Sequence, residues 1–438
     1  MSMIRRHPGQ FALWLAVVVV SIVVLASIRG PDLLGVSGML DFLGRASAIV
    51  GLVMLLLAAA LSARLPGFDR WFGGLTSLWR THHLLGAGSL LLLMTHPLLL
   101  ALAAADDGVG SAMARIFPAL SDWPVWSGWA ALVLMMIFLA PSFHFFGRPD
   151  YQRWKWLHRL AGPAVLLGLI HTYQYGRTLA PAIESALWTL LGLLALAALV
   201  WHFALSRRFG RRRYAVERVI MVANNLVELV LEPIGRRQLQ YRAGQFVYLT
   251  PFDEMLSAGH AEEHPYTLSS SPLEDRLRIA IKDLGDASRA IQTIRPGSKV
   301  TVEGPYGNFF PDDAPPRQLW IAGGIGITPF LGRARHLALL VQPVDVHLIY
   351  CVQDEARARF LDEFQQIAVR LEGFQVTPHF FYRQGPLDHA FIDAHCADTA
   401  ERAVFICGPG PLNQLARKLA LGAGVGRADI HTEDFELV

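Results

Sequence analysis

Long apolar runs alternate with short polar connections through the first half of the chain, and the alternation stops near residue 206. Six runs, at roughly 11–28, 40–62, 82–104, 126–146, 156–175 and 181–205, each come close to the ~20 residues that a helix needs to cross a bilayer. Six transmembrane helices are expected. The first follows Arg5 and Arg6 and lacks a small-residue cleavage site, so it reads as a retained span. Beyond Tyr214 the period changes. YAVERVIMVA, LVELVLEPI, QFVYLTP, YTLSSS, LRIAIKD and KVTVEGPYG are β-rich runs broken by turn residues, with ASRAIQTI as the one helical interruption. They predict a small antiparallel barrel. After PPRQ the order becomes strand and helix in turn: LWIAGG, ITPFLGRARHLALL, VHLIYCV, ARFLDEFQQIAVR, FQVTPHFFY, LDHAFIDAH, AVFICGP, LNQLARKLALG and a last strand near IHTEDF. That order predicts a doubly wound α/β domain on a parallel sheet. The expected fold class is a multi-domain membrane protein, with an α-helical transmembrane bundle at 1–206, an antiparallel β-barrel at 207–315 and an α/β domain at 316–438.

Charge orients the spans. The net charge of +3 is small, but cations gather at Arg5 and Arg6, around Arg64, Arg70 and Arg80, around Arg148, Arg153 and Lys155, and in SRRFGRRR. The connections 29–37 and 105–125 carry Asp32, Asp106, Asp107 and Asp122. The positive-inside rule therefore puts the basic loops, both termini and the soluble half in the cytoplasm, most simply of a bacterium with the spans in its inner membrane. Trp123, Trp126, Trp129, Trp154, Trp156 and Trp188 fall near span ends, as an aromatic belt would. SRRFGRRR directly follows an apolar span, which argues against a nucleic-acid partner. Cys351, Cys396 and Cys407 lack CxxC spacing, which argues against a disulfide framework, an iron–sulfur cluster or a zinc site.

Four histidines carry the chemistry of the apolar half. His82 and His96 lie fourteen residues apart in one run, and His158 and His171 lie thirteen apart in another. At ~1.5 Å per residue each pair is separated by roughly 20 Å along its helix. Two such helices side by side offer two facing His–His pairs at different depths, the equipment to hold two haem irons from both sides. Ionisable side chains at membrane depth are functional by default. Gly86 and Gly162 each follow the first histidine of a pair by four residues, which favours His82 over its neighbour His83. His7, His144 and His202 have no partner at matching spacing. Gly86, Gly88, Gly162 and Gly168 suit either the approach of a flat macrocycle or close helix packing. Fourteen residues return to nearly the same helix face, whereas thirteen fall short by more than a quarter turn at ~3.6 residues per turn. Local unwinding near Pro163 is the expected remedy.

In the soluble half, AGGIGITP places Gly323, Gly324 and Gly326 between a strand and a helix, where backbone N–H groups reach a pyrophosphate and Thr328 adds a hydroxyl. Taken alone, such a turn is also just a tight turn. CGPGP is a second turn at a strand's carboxyl end, where Cys407, Gly408 and Pro409 border a nicotinamide or, for the thiol, simply fill the core. HPYTLSSS offers Tyr266 to stack on a flavin and Thr267, Ser269 and Ser270 to hydrogen-bond it.

Taken in series, these histidines and the motifs HPYTLSSSP, GPYG, AGGIGITP and CGP resemble the ferric reductase/NADPH oxidase family over nearly the whole chain. The resemblance implies that His264, Pro265, Tyr266 and Thr267 bind flavin, with Tyr266 where Phe is usual and His264 in place of the Arg of soluble ferredoxin reductases. It implies that Lys282 and Gly285 to Ser288 meet the FAD pyrophosphate. Gly304, Pro305, Tyr306 and Gly307 fall at the flavin–nicotinamide junction. Phe435 packs on the isoalloxazine with Glu433 nearby, unless it only closes the last strand. The implied cofactors are FAD, two haem b and NADPH or NADH. Gln353 stands where many relatives carry Arg, and Arg357 or Arg359 is the available substitute, so the choice between NADPH and NADH stays open. Nothing resembles an EF-hand. The expected function is passage of electrons from cytoplasmic NAD(P)H through FAD and two haems to an outer acceptor: ferric iron or a chelate, oxygen giving superoxide, or a redox partner. The alternative is a relay subunit feeding a periplasmic or quinone-linked partner.

Overall fold

The apolar runs are helices. The computed structural model describes residues 7–30, 35–142, 151–175, 178–235 and 238–433. Arg5, Arg6, His144, Arg148 and Phe435 lie outside the described residues. The chain divides into two compact units, one of residues 3–64 and 77–207, the other of residues 65–76 and 208–438.

The first unit contains α1 (Pro8–Ala26), α2 (Gly35–Leu61), α3 (Leu75–Ala103), the short α4 (Val109–Ile116), α5 (Trp123–Leu139), α6 (Tyr151–Leu157), α7 (Ala161–Tyr175) and α8 (Pro181–Val200). Among the described residues, five helices are long and apolar enough to cross a membrane. The expected span at 156–175 is divided instead, α6 passing into a 3₁₀ turn at His158–Leu160 and then α7. Tight i→i+3 winding advances ~120° per residue where an α-helix advances ~100°, so three residues recover roughly 60° of rotation. That supplies much of the turn that the thirteen-residue spacing lacks, just before Pro163. α2 is the most enclosed helix, with buried residues from Phe42 to Leu61. Its small residues admit α3 closely: a Cβ on Gly44 would lie 2.9 Å from Leu100 Cδ2, and one on Gly51 3.0 Å from Leu92 Cβ. α8 continues as a π-helical stretch at Trp201–Gly210.

In the second unit, β1 (Arg211–Ala223), β2 (Leu226–Pro233), β3 (Phe246–Phe252), β4 (His264–Thr267), β5 (Leu277–Lys282) and β6 (Lys299–Tyr306) form an antiparallel sheet in the order β4-β3-β6-β1-β2-β5. Its two edges meet through a bridge between Leu268 and Ile279, which closes the barrel. Alternate apolar positions such as Val227, Leu229, Leu231, Ile279 and Ile281 fill the interior. The helical interruption is α9 (Asp286–Ala290) followed by a 3₁₀ turn. β4 is shorter than the run YTLSSS suggests: Leu268 and Ser269 cross to β5, where the Ser269 N–H bonds Arg278 O at 2.8 Å, and the hydroxyls of Ser269 and Ser270 bond Glu228 Oε1 and the Arg278 N–H.

The remaining chain is a five-stranded sheet in the order β11-β10-β7-β8-β9, all parallel: β7 (Arg317–Gly323), β8 (Asp345–Val352), β9 (Phe374–Phe380), β10 (Ala403–Cys407) and β11 (Ile430–Glu433). The helices are α10 (Thr328–Leu340), α11 (Leu361–Arg370), the single-turn α12 (Phe381–Gln384), α13 (His389–His395) and α14 (Gly410–Gly422). Both sheet faces are packed, one around Trp320, Phe330 and Phe405 and the other around Ile321, Ile406 and Leu419, which is why the strands read as continuous apolar runs. α11 begins later than ARFLDEF suggests, because Asp354 accepts the Arg357 N–H and caps a separate 3₁₀ turn.

Candidate functional site

In the first unit, the four histidines form two facing pairs. The His82 and His158 ring centroids are 6.1 Å apart, and those of His96 and His171 are 6.4 Å apart. A metal ~2 Å from each coordinating nitrogen puts two imidazole centres roughly 6–6.5 Å apart, so each pair fits an ion between its rings. Three rings are aimed by backbone carbonyls. His82 Nδ1 bonds Ala58 O at 2.9 Å, His96 Nδ1 bonds Gly44 O at 2.8 Å, and His171 Nδ1 bonds Pro124 O at 2.8 Å. A carbonyl accepts only an N–H, so each bond leaves Nε2 with its lone pair for a metal. His158 lies between the rings of Phe138 and Trp154, at 5.2 and 5.0 Å. His83 makes no comparable contact across helices; its ring lies beside His82.

The glycines beside the His82–His158 pair are open. A Cβ on Gly162 would meet no heavy atom within 4 Å, and one on Gly86 only Leu139 at 3.9 Å. Gly88 is different: its Cβ would lie 2.4 Å from Met54 Cε, so it serves helix packing. Gly168 falls in ordinary contact with Leu52. Gly128, which the sequence did not single out, gives His171 its room, since a Cβ there would lie 2.8 Å from Nδ1. No cluster of three or more His, Cys, Asp or Glu gathers among the described residues. Each pair thus offers two imidazoles, the number that a group bringing its own remaining ligands would need.

In the second unit, β4 carries His264, Pro265, Tyr266 and Thr267 beside β3. Thr267 is buried and its Oγ1 has no hydrogen-bond partner among the described residues; His264 Nε2 is likewise unbonded, 3.5 Å from the Glu262 carboxylate. Buried polar atoms left unpaired are costly, which makes Thr267 Oγ1 a point where a bound group would find a hydrogen-bonding partner. Burial pushes the Tyr266 phenol far up, which keeps it neutral. Ser269 and Ser270 behave differently. Ser269 Oγ donates to Glu228 at 2.7 Å, and Ser270 Oγ accepts the Arg278 N–H at 2.9 Å beside the Tyr241 hydroxyl at 2.7 Å. Both hydroxyls are engaged within the protein. Ser288 Oγ likewise accepts the Leu284 and Gly285 N–H groups, closing the turn after Lys282, which ends β5.

At the end of β6, Gly304 takes φ +144° with Val247 and Phe246 too close for a side chain, and Pro305 follows. Tyr306 is fully buried and donates to Glu303 at 3.1 Å. Gly307 takes φ +95°, and a Cβ there would press on Phe246 and the Glu433 carboxylate. Its N–H donates to Asp69 at 2.7 Å, and its carbonyl accepts from Gln245 at 2.9 Å. Burial raises the Asp69 pKa against the pull of that N–H. Asp69 and Gln245 escaped the sequence reading. The first is separated from Gly307 by 238 positions, and neither carries a motif.

The glycines of AGGIGITP divide their work. A Cβ on Gly326 would lie 2.3 Å from Cys407 O, and one on Gly323 2.3 Å from Leu412 Cδ2, so these two let the β7 and β10 turns touch. Gly408 serves the same contact, against Gly323, and Pro409 caps α14. Gly324, at φ +55° with nothing within 4 Å, is the open one, where a pyrophosphate could approach. Thr328 Oγ1 donates to Ile325 O at 2.7 Å. Cys407 has no exposed surface and lies in the sheet's core cluster. After β8, Arg357 pairs with Asp354 and Arg383 with Glu355.

Comparison with known proteins agrees with this division. A family model described as "Ferric reductase like transmembrane component" matches residues 47–169, "FAD-binding domain" matches 212–309, and "Oxidoreductase NAD-binding domain" matches 320–418. A similar curated protein is the "3-ketosteroid-9-alpha-monooxygenase, ferredoxin reductase component" of Mycolicibacterium smegmatis, 32% identical over 49% of this chain and 62% of its own. Another is an "NADPH oxidoreductase" of Mycobacterium tuberculosis, 29% identical over 47% of this chain and 55% of its own. The chain thus spans less than two thirds of the length of these curated relatives. Among solved structures, a flavohemoglobin from Malassezia yamatoensis aligns over 91% of this chain and 99% of its own, at 19% identity and a TM-score of 0.50, a likeness of fold.

Proposed function

We propose that this chain, which belongs to the family joining a ferric reductase-like transmembrane component to a FAD- and NAD-binding reductase module, passes electrons from NAD(P)H across a membrane to an acceptor on the far side. That it is a membrane-bound NAD(P)H oxidoreductase follows from the three matched parts together. The path through two haems rests on one observation above all: two imidazole pairs, at 6.1 and 6.4 Å, with three rings aimed through Nδ1. When bound, FAD would accept a hydride from NAD(P)H and release the electrons singly to haem iron, the conversion that a two-electron donor and a one-electron acceptor require.

The residues present fit these groups. His82 and His158 hold the inner haem, and His96 and His171 the outer, with Gly162 and Gly86 leaving room beside the inner ring. Thr267 and His264 offer unpaired polar atoms to the flavin, and Tyr266 a neutral aromatic face. Gly324 opens the turn at which the dinucleotide's pyrophosphate approaches the start of α10. Gly304 to Gly307, braced by Gln245 and Asp69, form the turn nearest the flavin–nicotinamide junction, with Glu433 beside it. The positive-inside rule, applied to the basic loops, supports a reductase module in the cytoplasm of a bacterium and an acceptor outside the inner membrane.

Ferric iron, a ferric chelate or oxygen is the acceptor in the first reading. The similarity to the M. smegmatis protein, a reductase component of a monooxygenase, favours a second, in which a partner protein or quinone takes the electrons. The deciding experiment is anaerobic addition of NADH or NADPH to the purified protein, followed separately by oxygen and by ferric chelate. Haem absorbance should show reduction and then reoxidation. No haem reduction refutes the electron path; reduction without reoxidation by either acceptor selects the relay.

A further inference from the structure

Residues 268–271 follow the β4 strand, and α10 lies directly on them. A Cβ on Gly332 would meet Leu268 O at 2.7 Å and Ser270 O at 3.3 Å, and Ser271 Oγ sits 3.1 Å from His336 Nδ1. On the same face of α10 stands Arg335, only 7% exposed. Its Nη1 donates to Glu228 Oε1 at 2.7 Å and to Ser269 O at 2.9 Å. Its Nε and Nη2 form a fork onto Glu363 of α11 at 2.6 and 2.8 Å. Glu228, on β2 of the barrel and 2% exposed, also accepts Ser269 Oγ at 2.7 Å and pairs with Arg278 at 2.9 Å. The guanidinium groups of Arg335 and Arg278 thus meet Glu228 and Glu363 inside the contact between barrel and parallel sheet, with Glu274 4.0 Å from Arg278 at its edge.

Such a network is a poor way to gain stability, because the cost of desolvating charges offsets most of their attraction. Its strength is direction. A guanidinium fork bonded on every edge accepts one orientation of its partners, as apolar packing does not. The location gives that direction a use. Ser269 is two residues from Thr267 on the flavin strand, and Arg335 is two turns from Thr328, where α10 emerges from the Gly-rich turn. The ion pair therefore joins the element proposed to hold the flavin to the element proposed to hold the nicotinamide.

We propose that Arg335 is a positioning residue for hydride transfer, holding α10 against Glu228 and Ser269 so that the flavin strand and the dinucleotide turn keep one relative placement. This rests on the functional reading above. Displacements near 1 Å remote from the chemistry cost on the order of 100-fold in rate, so loosening this joint should be visible in the rate of flavin reduction.

The test uses the full-length protein with FAD bound, as wild type, Arg335→Lys, Arg335→Met and the double variant Arg335→Met/Glu228→Gln. Flavin content and thermal midpoint report integrity. The long-wavelength charge-transfer absorbance between flavin and added nicotinamide reports their stacking, and anaerobic stopped-flow reports flavin reduction at saturating NAD(P)H. Arg335→Met should keep flavin, weaken the charge-transfer band and slow reduction by about tenfold or more, with a smaller change in the nicotinamide concentration for half-maximal rate. Arg335→Lys, which keeps the charge and loses the fork, should fall between. The double variant removes the carboxylate charge that Arg335 no longer offsets, Glu228 keeping only Arg278 in the single variant, so it should regain thermal stability without regaining the rate; it carries the test by itself if Arg335→Met does not fold. Wild-type band and rate in Arg335→Met, or recovery of both together with stability in the double variant, would overturn the proposal. A wild type whose flavin NAD(P)H does not reduce overturns the functional reading and this proposal with it, whereas a competent wild type beside unaffected variants overturns this proposal alone.

Discussion

Replacing Gly128 by alanine tests the His96–His171 pair with a single methyl group. The added Cβ would lie 2.8 Å from His171 Nδ1 and 3.0 Å from two ring carbons. Ordinary contact begins near 3.4 Å, so the ring must retreat by roughly 0.6 Å. The crowded nitrogen is the one bonded to Pro124 O at 2.8 Å, and such a retreat stretches that bond to about 3.4 Å, past the useful range. Loss of the bond that orients a ligating histidine typically lowers metal affinity 10–100-fold, or about 1.4–2.8 kcal/mol. The helix itself should gain, since alanine is favoured over glycine by about 1 kcal/mol within α5. The two effects have opposite signs, which separates damage to the site from damage to the fold. Haem content by pyridine haemochrome and a potentiometric titration of the purified protein are the assays. One of two haem components should be lost or shifted, the other should keep its potential, and the thermal midpoint should not fall. Full haem content with both potentials unchanged would refute the placement of an iron between His96 and His171.

Three further outcomes follow from the geometry. Gly162→Ala should leave the fold intact, since its Cβ meets no protein atom within 4 Å, yet should lower occupancy at the His82–His158 pair; unchanged haem content would show that the space is not the macrocycle's. Gly326→Ala drives a Cβ to 2.3 Å from Cys407 O and 2.7 Å from Gly408 Cα, backbone that can yield only by parting the two turns, at a cost of about 1–3 kcal/mol. Nicotinamide affinity, titrated through the flavin spectrum, should fall about 5- to 150-fold at constant flavin content; unchanged affinity would remove that turn from the dinucleotide site. At the opposite end of the sheet, Asp345 and Asp398 are held below the usual carboxylate range. Burial raises Asp345, but Arg317 and Arg402 outweigh it, and Arg402 leads for Asp398. Depressed carboxylates contribute stability above their unfolded pKa near 3.8 and lose it as pH falls through the folded value. Arg402→Ala should therefore lower the melting temperature at pH 7 and flatten its decline below pH 4. The pair is partly exposed, so the effect is about 1 kcal/mol or less; an equal melting shift at pH 7 and pH 3 would contradict the linkage.

The parts of this protein that were legible in its sequence are those written as local periodicity or short motifs. Apolar length gave five of the six expected spans, period-two runs gave the barrel strands, and the repeated histidine spacing singled out His82, His96, His158 and His171, which the structure brings together in two facing pairs. Spacing gave the pairs but not the means of pairing. Thirteen residues face their partners because a 3₁₀ turn interrupts the helix at His158, and nothing in HRLAG specifies that winding except the proline that follows.

What stayed hidden is carried by single residues of common type at large separation. Glu228 and Arg335 are 107 positions apart, and Asp69 lies 238 positions from the Gly307 that it bonds; Glu228, Arg335 and Asp69 each read locally as an ordinary surface charge. Their burial explains both why they were missed and what they do. A charge is costly to bury unless a specific partner arrives, so each marks a place where two distant segments must meet in one arrangement. Ser269 illustrates the overlap of the two kinds of information. Its place in HPYTLSSS reads as part of a flavin strand, while its hydroxyl is held by the Glu228 that also holds Arg335. One short segment thus presents Tyr266 and Thr267 at one end and anchors α10 at the other. A shift in that anchor is transmitted over only a few residues of chain to the residues proposed to meet the flavin.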